Sequence, residues 1–370
     1  MKHPLMFFVA SLIAMHGALL GLSALDSNTD EVNVLKKPPE FYVLDWQPGT
    51  ILMEAKTDLF IEVDSMGRQE VKLWVDHKDQ AVLYSSNVST PVCADGECKL
   101  MHIRLYWTLL GDYAGFDRYP NMPLTKHDHE EFLISDYERL HQLLMDDNSV
   151  LKQRSIDQLV EAPTQRVVNG VDALSGATIA EVKESVVSGA LYSCYVAWHM
   201  VHGEVRAKIK TYTSTKLNND LLLTMLNSSN RAYQMFALQQ LNEQQYVDQY
   251  LDIAEVFKKG TPLIRGFIIK NVPEIFWTTP ELQMPYWDEF TRIDIGSRSL
   301  LLEHLENAPH RVQTIIMNNL GVLTKNQLKT FLYYLNTSRP STELLRELET
   351  FANDPNEKYS YLALQFLEEI

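Results

Sequence analysis

The chain has no concentration of positive charge. Lys and Arg number 33 against 48 Asp and Glu, a formal net charge of −15, and the basic residues nowhere gather into a cluster. Nucleic acid and anionic membrane surfaces both demand a concentrated basic face, so neither is an expected partner. Low-complexity tracts are missing too. With 45% hydrophobic and 22% charged residues, the composition is that of an ordinary globular protein, and disorder is expected only at the ends and in a few loops. The chain also carries no Gly-rich nucleotide loop, no Gly-x-Ser-x-Gly elbow and no Cys-x-x-Cys-His haem attachment site. Past residue 24 no apolar run reaches membrane-spanning length.

What is present begins at residues 1–24. Lys2 and His3 form a weakly basic head, Leu5 to Leu22 is apolar and without formal charge, and Gly21-Leu22-Ser23-Ala24 offers small residues for a peptidase to cut after Ser23 or Ala24. This pattern predicts a signal peptide and an exported, periplasmic protein of the cell envelope. The alternative is a retained anchor, because a run of this length just spans a bilayer; it would then be the only membrane contact. His16 and Gly17 interrupt the run and favour cleavage. No cysteine stands at the cut, so lipid anchoring there is not expected.

Export permits disulfides, and the cysteines are Cys93, Cys98 and Cys194. Asp95-Gly96 is a two-residue hairpin turn signal. It places Cys93 opposite Cys98 in a non-hydrogen-bonded pair with Cα atoms roughly 4.5 Å apart, at the short end of what a disulfide tolerates. A Cys93–Cys98 bond is the expectation. Two free thiols, or half a metal site with no further ligands in evidence nearby, are the alternatives. Cys194 has no partner in sequence and reads as a small buried hydrophobe.

At 370 residues the chain exceeds what one core usually organises, so two domains are expected. Residues 25–40 are polar and proline-containing, a linker. Residues 41–212 read as an α+β domain. Its first half alternates in short β-type runs at Leu59–Val63, Glu70–Val75, Ala81–Tyr84 and Lys99–Trp107, an antiparallel meander with one buried face. Residues 111–130, with Gly111, Gly115, Pro120 and Pro123, read as irregular. A helix is predicted from Ser135 or Asp136 to Met145. Residues 217–370, joined through the stretch Lys208–Leu217, are helical by period: apolar residues recur at three- and four-residue steps in Leu221–Met225, Tyr233–Leu241, Tyr246–Phe257, Leu263–Ile269, Leu300–Leu305, Val312–Leu320, Leu328–Leu335 and Tyr359–Phe366. Openings at Ser229–Arg231, Thr261–Leu263 and Gly296–Arg298 are spaced as in stacked helical hairpins, a HEAT-like repeat; an irregular helical bundle is the alternative.

One segment carries chemistry. Val171-Asp172-Ala173-Leu174-Ser175-Gly176-Ala177-Thr178-Ile179 precedes a stretch that reads as one helix to about His202. The segment resembles the flavin-attachment motif of FMN-binding domains, found in exported subunits of the sodium-translocating NADH:quinone reductase and the related Rnf complexes. That motif is an Asp, two residues, then Ser/Thr-Gly-Ala-Thr, and Asp172, Ser175, Gly176, Ala177 and Thr178 match it position for position. The resemblance implies FMN as cofactor, with Thr178 esterified to its phosphate by a flavin transferase. It covers about residues 166–202. Ala180 and Glu181 stand where the family often has another Ser or Thr, and the family's upstream Glu-Thr-Pro-Gly motif is not found.

Elementary chemistry is consistent with such a use. Gly176 and Ala177 let a phosphate approach the backbone closely, and a following helix offers free N–H groups and the positive end of its dipole. Small residues recur along one face at Ser185, Gly189, Ser193 and Ala197, and no Asp, Glu, Lys or Arg occurs from Val186 to Val201, so the helix reads as buried. The bland alternative is a capped helix start with Ser175 or Thr178 as N-cap.

Lys126 and His127 are added as candidates to line the flavin or its phosphate, and Asp112, Tyr113 and Asp117 as weaker ones. His127-Asp128-His129-Glu130, and His199 with His202, carry metal-ligand types, but solvated surface and helix caps are the commoner fates of such residues. Two functions follow. The first is an exported flavoprotein, an electron-transfer component of the envelope whose helical domain docks a redox or scaffold partner. The second is a non-catalytic envelope interaction protein that keeps the fold without cofactor.

Overall fold

The computed structural model describes residues 34–63, 67–91, 100–126, 129–153, 155, 185–338 and 340–370. An antiparallel sheet region comes first and an all-helical region of about a dozen helices follows, as the sequence predicts. The chain divides into two compact units. One comprises Met1–Tyr42, Trp46–Tyr106 and Ala114–His199; the other comprises Val43–Asp45, Trp107–Tyr113 and Met200–Ile370.

The sheet is curled and seven-stranded, in the order β1-β3-β6-β7-β8-β9-β2. Its strands are β1 (Val34–Leu35), β2 (Phe41–Tyr42), β3 (Leu52–Ala55), β6 (Lys72–Val75), β7 (Ala81–Thr90), β8 (Met101–Trp107) and β9 (Tyr113–Arg118). Alternation makes them strands. In β8, Met101, Ile103, Leu105 and Trp107 are buried while His102 and Arg104 are half-buried on the other face, the period of two that a sheet with one apolar face requires. The β6–β7 turn is held by Asp76, whose carboxylate accepts from the N–H groups of Lys78 and Gln80 at 2.8 and 3.0 Å.

Four expectations for this region are corrected. Residues 34–35, taken as linker, are β1, antiparallel to β3 with Val34 opposite Met53. Glu70–Val75 is not one strand: β5 (Gly67–Glu70) pairs with β4 (Phe60–Val63) in a separate two-stranded sheet. Val71 is the pivot, fully buried, its N–H bonded to the Leu59 carbonyl at 2.9 Å and its own carbonyl accepting from the Thr57 hydroxyl. Residues 113–118 are the strand β9 and not irregular. Gly115 misled because it was read as a loop residue; a Cβ there would stand 2.1 Å from the Phe41 carbonyl oxygen, so the glycine marks the close approach of β2. Finally, the helix expected to run unbroken to His202 is interrupted. Its described part, α2, is Leu191–His202, and Gly189 before it has φ +74°, a left-handed conformation that ends helical winding.

Helix α1 (Ile134–Met145) falls where predicted and buries Tyr137, Leu140, Leu143 and Leu144. Phe41, Phe116 and Tyr137 meet beneath it, the first two stacked at 4.5 Å. No residue of α2 is fully exposed, in line with its lack of charge.

In the second unit the helices are α3 (Glu204–Lys216), α4 (Asn219–Leu226), α5 (Arg231–Gln240), α6 (Glu243–Asp248), α7 (Tyr250–Lys259), α8 (Pro262–Asn271), α9 (Ile275–Thr278), α10 (Pro280–Trp287), α11 (Ile295–Leu302), α12 (His310–Met317), α13 (Lys325–Ser338), α14 (Thr342–Ala352) and α15 (Ser360–Glu369). Their starts are written in the sequence. Asn218, Asn230, Asn242, Thr261, Asp294 and Ser341 each accept an N–H of the first turn, and Pro262 sits at the first helical position, where its missing N–H costs nothing. The stretch Lys208–Leu217, expected as a join, is the C-terminal part of α3. Tyr246–Phe257 is two helices, α6 and α7, meeting at Gln249.

Candidate functional site

Asp172, Ser175, Gly176, Ala177 and Thr178 lie outside the described residues, as do His127, Cys93 and Cys98. Lys126 is described. It follows the turn bridged by Tyr119 and Met122 and lies inside the Thr125–Glu131 bridge. The Lys126 N–H donates to the Glu130 carbonyl at 2.8 Å, and the Lys126 carbonyl accepts from the His129 N–H at 3.0 Å. His129 takes φ +61° to make this turn. The Lys126 ammonium stands 2.9 Å from the Asp136 carboxylate, both side chains less than one-fifth exposed. Asp136 accepts also from the Leu133 N–H at 2.9 Å, which caps α1. The aliphatic stem of Lys126 lies along Gly189, where an added Cβ would be 3.5 Å from the Lys126 Cβ.

Lys126 therefore joins the loop, the start of α1 and the turn that leads into α2. Its charge is already matched by a carboxylate. To serve a phosphate it must share or exchange Asp136, and Asp136 would keep its Leu133 N–H bond if it did.

Helix α2 is fixed by its large polar-tipped side chains. Trp198 donates its ring N–H to the Asp146 carbonyl at 2.8 Å, and the His199 Nε2 bonds the Leu151 carbonyl at 3.1 Å. Burial lowers the His199 pKa, against the opposite pull of that carbonyl. His199 also packs on Tyr195 and Trp198, so it is a half-buried histidine with its hydrogen bond and packing already satisfied. Among the described residues no three His, Cys, Asp or Glu side chains converge on a metal position. Cys194 is the small buried residue expected: a free thiol, pushed up to about 12 by burial, whose sulfur accepts from the Val187 N–H at 3.4 Å.

The weaker candidates divide between the two units. Asp112 and Tyr113 belong to the helical unit and Asp117 to the sheet unit. Asp112 pairs with Arg206. Tyr113 is buried, which raises its phenol well above the ordinary range. Asp117 accepts from the Glu40 N–H and the Tyr106 hydroxyl, each at 2.7 Å, and so ties β2 to the strands beside it.

Sequence reading missed a polar ladder on one face of the sheet. Ser89 Oγ lies 2.8 Å from His102 Nδ1, Arg104 donates to the Asn87 side-chain carbonyl at 2.7 Å, and the Gln69 amide bonds both the N–H and the carbonyl of Ser89 at 3.0 and 2.8 Å. The signal was the alternate polar positions His102, Arg104 and Tyr106 within an apolar strand. A nucleophile activated by histidine needs a third group to orient the imidazole. Among the described residues no carboxylate bonds the other ring nitrogen of His102, and the ladder's groups bond one another, so its evident work is strand registry. Compared with protein-family models, with curated proteins and with solved structures, the chain matches none of them.

Proposed function

We propose that the protein is an exported flavoprotein of the cell envelope, carrying FMN as a phosphoester of Thr178 and passing electrons between envelope partners. The observation that carries this reading is the match from Asp172 to Thr178. Residues 1–24, read as a signal peptide, agree with export, and the sheet-then-helix order of the chain agrees with a cofactor domain followed by a docking domain. In this reading the helical region stacks its hairpins in HEAT-like fashion and docks a redox or scaffold partner, since such arrays expose a large surface at low sequence cost. An exported domain has no cytoplasmic flavin pool to draw on, and a covalent bond prevents loss of the cofactor.

The test is production of the full chain with a flavin transferase and export. The purified protein is expected to be yellow, and its intact mass to rise by one FMN less water. Thr178→Ala should abolish that increment with the helical and sheet spectra unchanged. A colourless, unmodified wild-type protein refutes the assignment. One observation favours the cofactor-free interaction protein in that event: Lys126, the described member of the candidate set, is already paired with Asp136 at 2.9 Å.

A further inference from the structure

Within the helical unit, α3 and α5 border an open cleft of about 500 Å³, lined also by Leu110 and Asp112. One wall presents Arg206, Ala207 and Lys210 of α3. The other presents Ala232, Met235 and Phe236 of α5. In each set the outer pairs, Arg206 with Lys210 and Ala232 with Met235 and Phe236, are spaced three or four residues apart, as neighbours on one helix face are. Ala207 and Ala232 add little bulk to the lining, and Leu110 and Phe236, 8% and 6% exposed, are its most buried apolar side chains.

The two cations differ. Arg206 is matched by Asp112. Lys210 forms no salt bridge with a carboxylate among the described residues; its ammonium stands 5.9 Å from the centre of the Phe236 ring. In a chain of net charge −15, an unneutralised cation near an aromatic ring selects an anion with an aromatic body. Phe236 offers a ring for stacking and Met235 a thioether for sulfur–ring contact. The volume suits a small molecule and is too small for a helix. A bare phosphate would leave the apolar lining uncovered. A neutral aromatic would leave Lys210 unused.

We propose that this cleft binds a small aromatic carboxylate, its carboxylate at Lys210 and its ring against the Met235 and Phe236 side chains. Isothermal titration of the full chain with 2-naphthoate, 2-naphthylmethanol and inorganic phosphate tests it. On the wild type, naphthoate is expected to bind at one site per chain, about fivefold tighter than the alcohol, the upper range for an exposed ion pair. Phosphate should give no competition. Lys210→Gln should remove the preference of acid over alcohol while the alcohol still binds. Ala232→Trp should fill the cleft and abolish both. The inference is overturned if naphthoate does not bind, or if phosphate displaces it. It is equally overturned if Lys210→Gln keeps the full preference, which decides the matter even where the tryptophan variant fails to fold.

Discussion

Arg265 is the side chain whose loss should cost the helical unit most for its size. It is only 14% exposed and bonds three different places. Its Nε and one terminal nitrogen donate to the carbonyls of Phe257 and Lys258 at 3.0 Å each, closing the C-terminal end of α7, and the other donates to Asp294 at 3.3 Å. Asp294 in turn caps α11, accepting from the Ser297 N–H and hydroxyl at 2.9 and 2.7 Å. A charged hydrogen bond contributes about 1.5–3 kcal/mol when buried. The Lys258 carbonyl is exposed enough to be rehydrated while Phe257 is fully buried, so Arg265→Met should cost about 3 kcal/mol in total. For a unit of this size that lowers the melting midpoint by roughly 6–12 °C. Arg265→Lys keeps the charge but not the fork and should recover about half of it. Acid gives the second reading. Burial pushes the Asp294 carboxyl up, but Ser297 and Arg265 outweigh it, and the folded value lies below the ordinary 3.8. A carboxyl depressed on folding contributes stability above its unfolded value and loses it as pH falls through the folded value. The difference between wild type and Arg265→Met should therefore be full at neutral pH and shrink below about pH 4. Urea unfolding at pH 7 and pH 3 measures both. A neutral-pH cost under about 1 kcal/mol, or a lysine variant as stable as wild type, refutes the reasoning.

Three further outcomes are expected. Gly111 has φ +78°, and a Cβ there would lie 2.4 Å from the Arg206 carbonyl oxygen; Gly111→Ala should destabilise by about 3 kcal/mol or more, combining left-handed strain with a backbone clash, measured by denaturant midpoint. Gly189 shares the positive φ, +74°, but a Cβ would meet Lys126 at an ordinary 3.5 Å, so Gly189→Ala should cost only the strain, about 1–2 kcal/mol; a cost equal to that of Gly111→Ala contradicts the distinction. Thiol counting should find no reactive cysteine in the native protein, because Cys194 is fully buried with its thiol at about 12. In unreduced denaturant it should find one, leaving Cys93 and Cys98 bonded; three would mean free thiols.

The helical half was legible in the sequence because two signals coincide there. Apolar residues repeat at three and four, and Asn230, Thr261-Pro262 and Asp294 stand at the starts as caps. Helix α3 was missed because its stripe is narrow: Val205, Ile209 and Thr213 are its buried residues, and the rest of the helix is polar. In the sheet, glycine defeated the reading twice in opposite directions. Gly115 looked like a loop and marks close strand packing. Gly189 looked like one member of a small-residue stripe and lies in the turn ahead of α2. Composition alone does not separate these cases, because one glycine is fixed by the Phe41 carbonyl that approaches it and the other by its own left-handed backbone at φ +74°. The polar ladder was equally hidden, since the partners of His102 and Arg104 come from β7, and no local window contains both.

Lys126 bears on the two functional readings more directly than any other described side chain. Against Asp136 it is a structural cation, holding a loop and a turn to the start of α1. That role is complete without a ligand, as an interaction protein requires. A phosphate would compete with the carboxylate for the same ammonium. The exchange is inexpensive on one side, because Asp136 retains the Leu133 N–H at 2.9 Å and its position at the first turn of α1, where a negative charge is favoured. The cost falls on the lysine, which would have to leave a half-buried pair while its stem stays against Gly189. Exchanging one ion pair for another gains little net free energy, so in the flavin reading Lys126 is not expected to add much to retention. Retention in the flavin reading must come from the bond at Thr178 itself. The presence or absence of that bond, and not the electrostatics around Lys126, therefore separates a flavoprotein from a scaffold that has kept its fold.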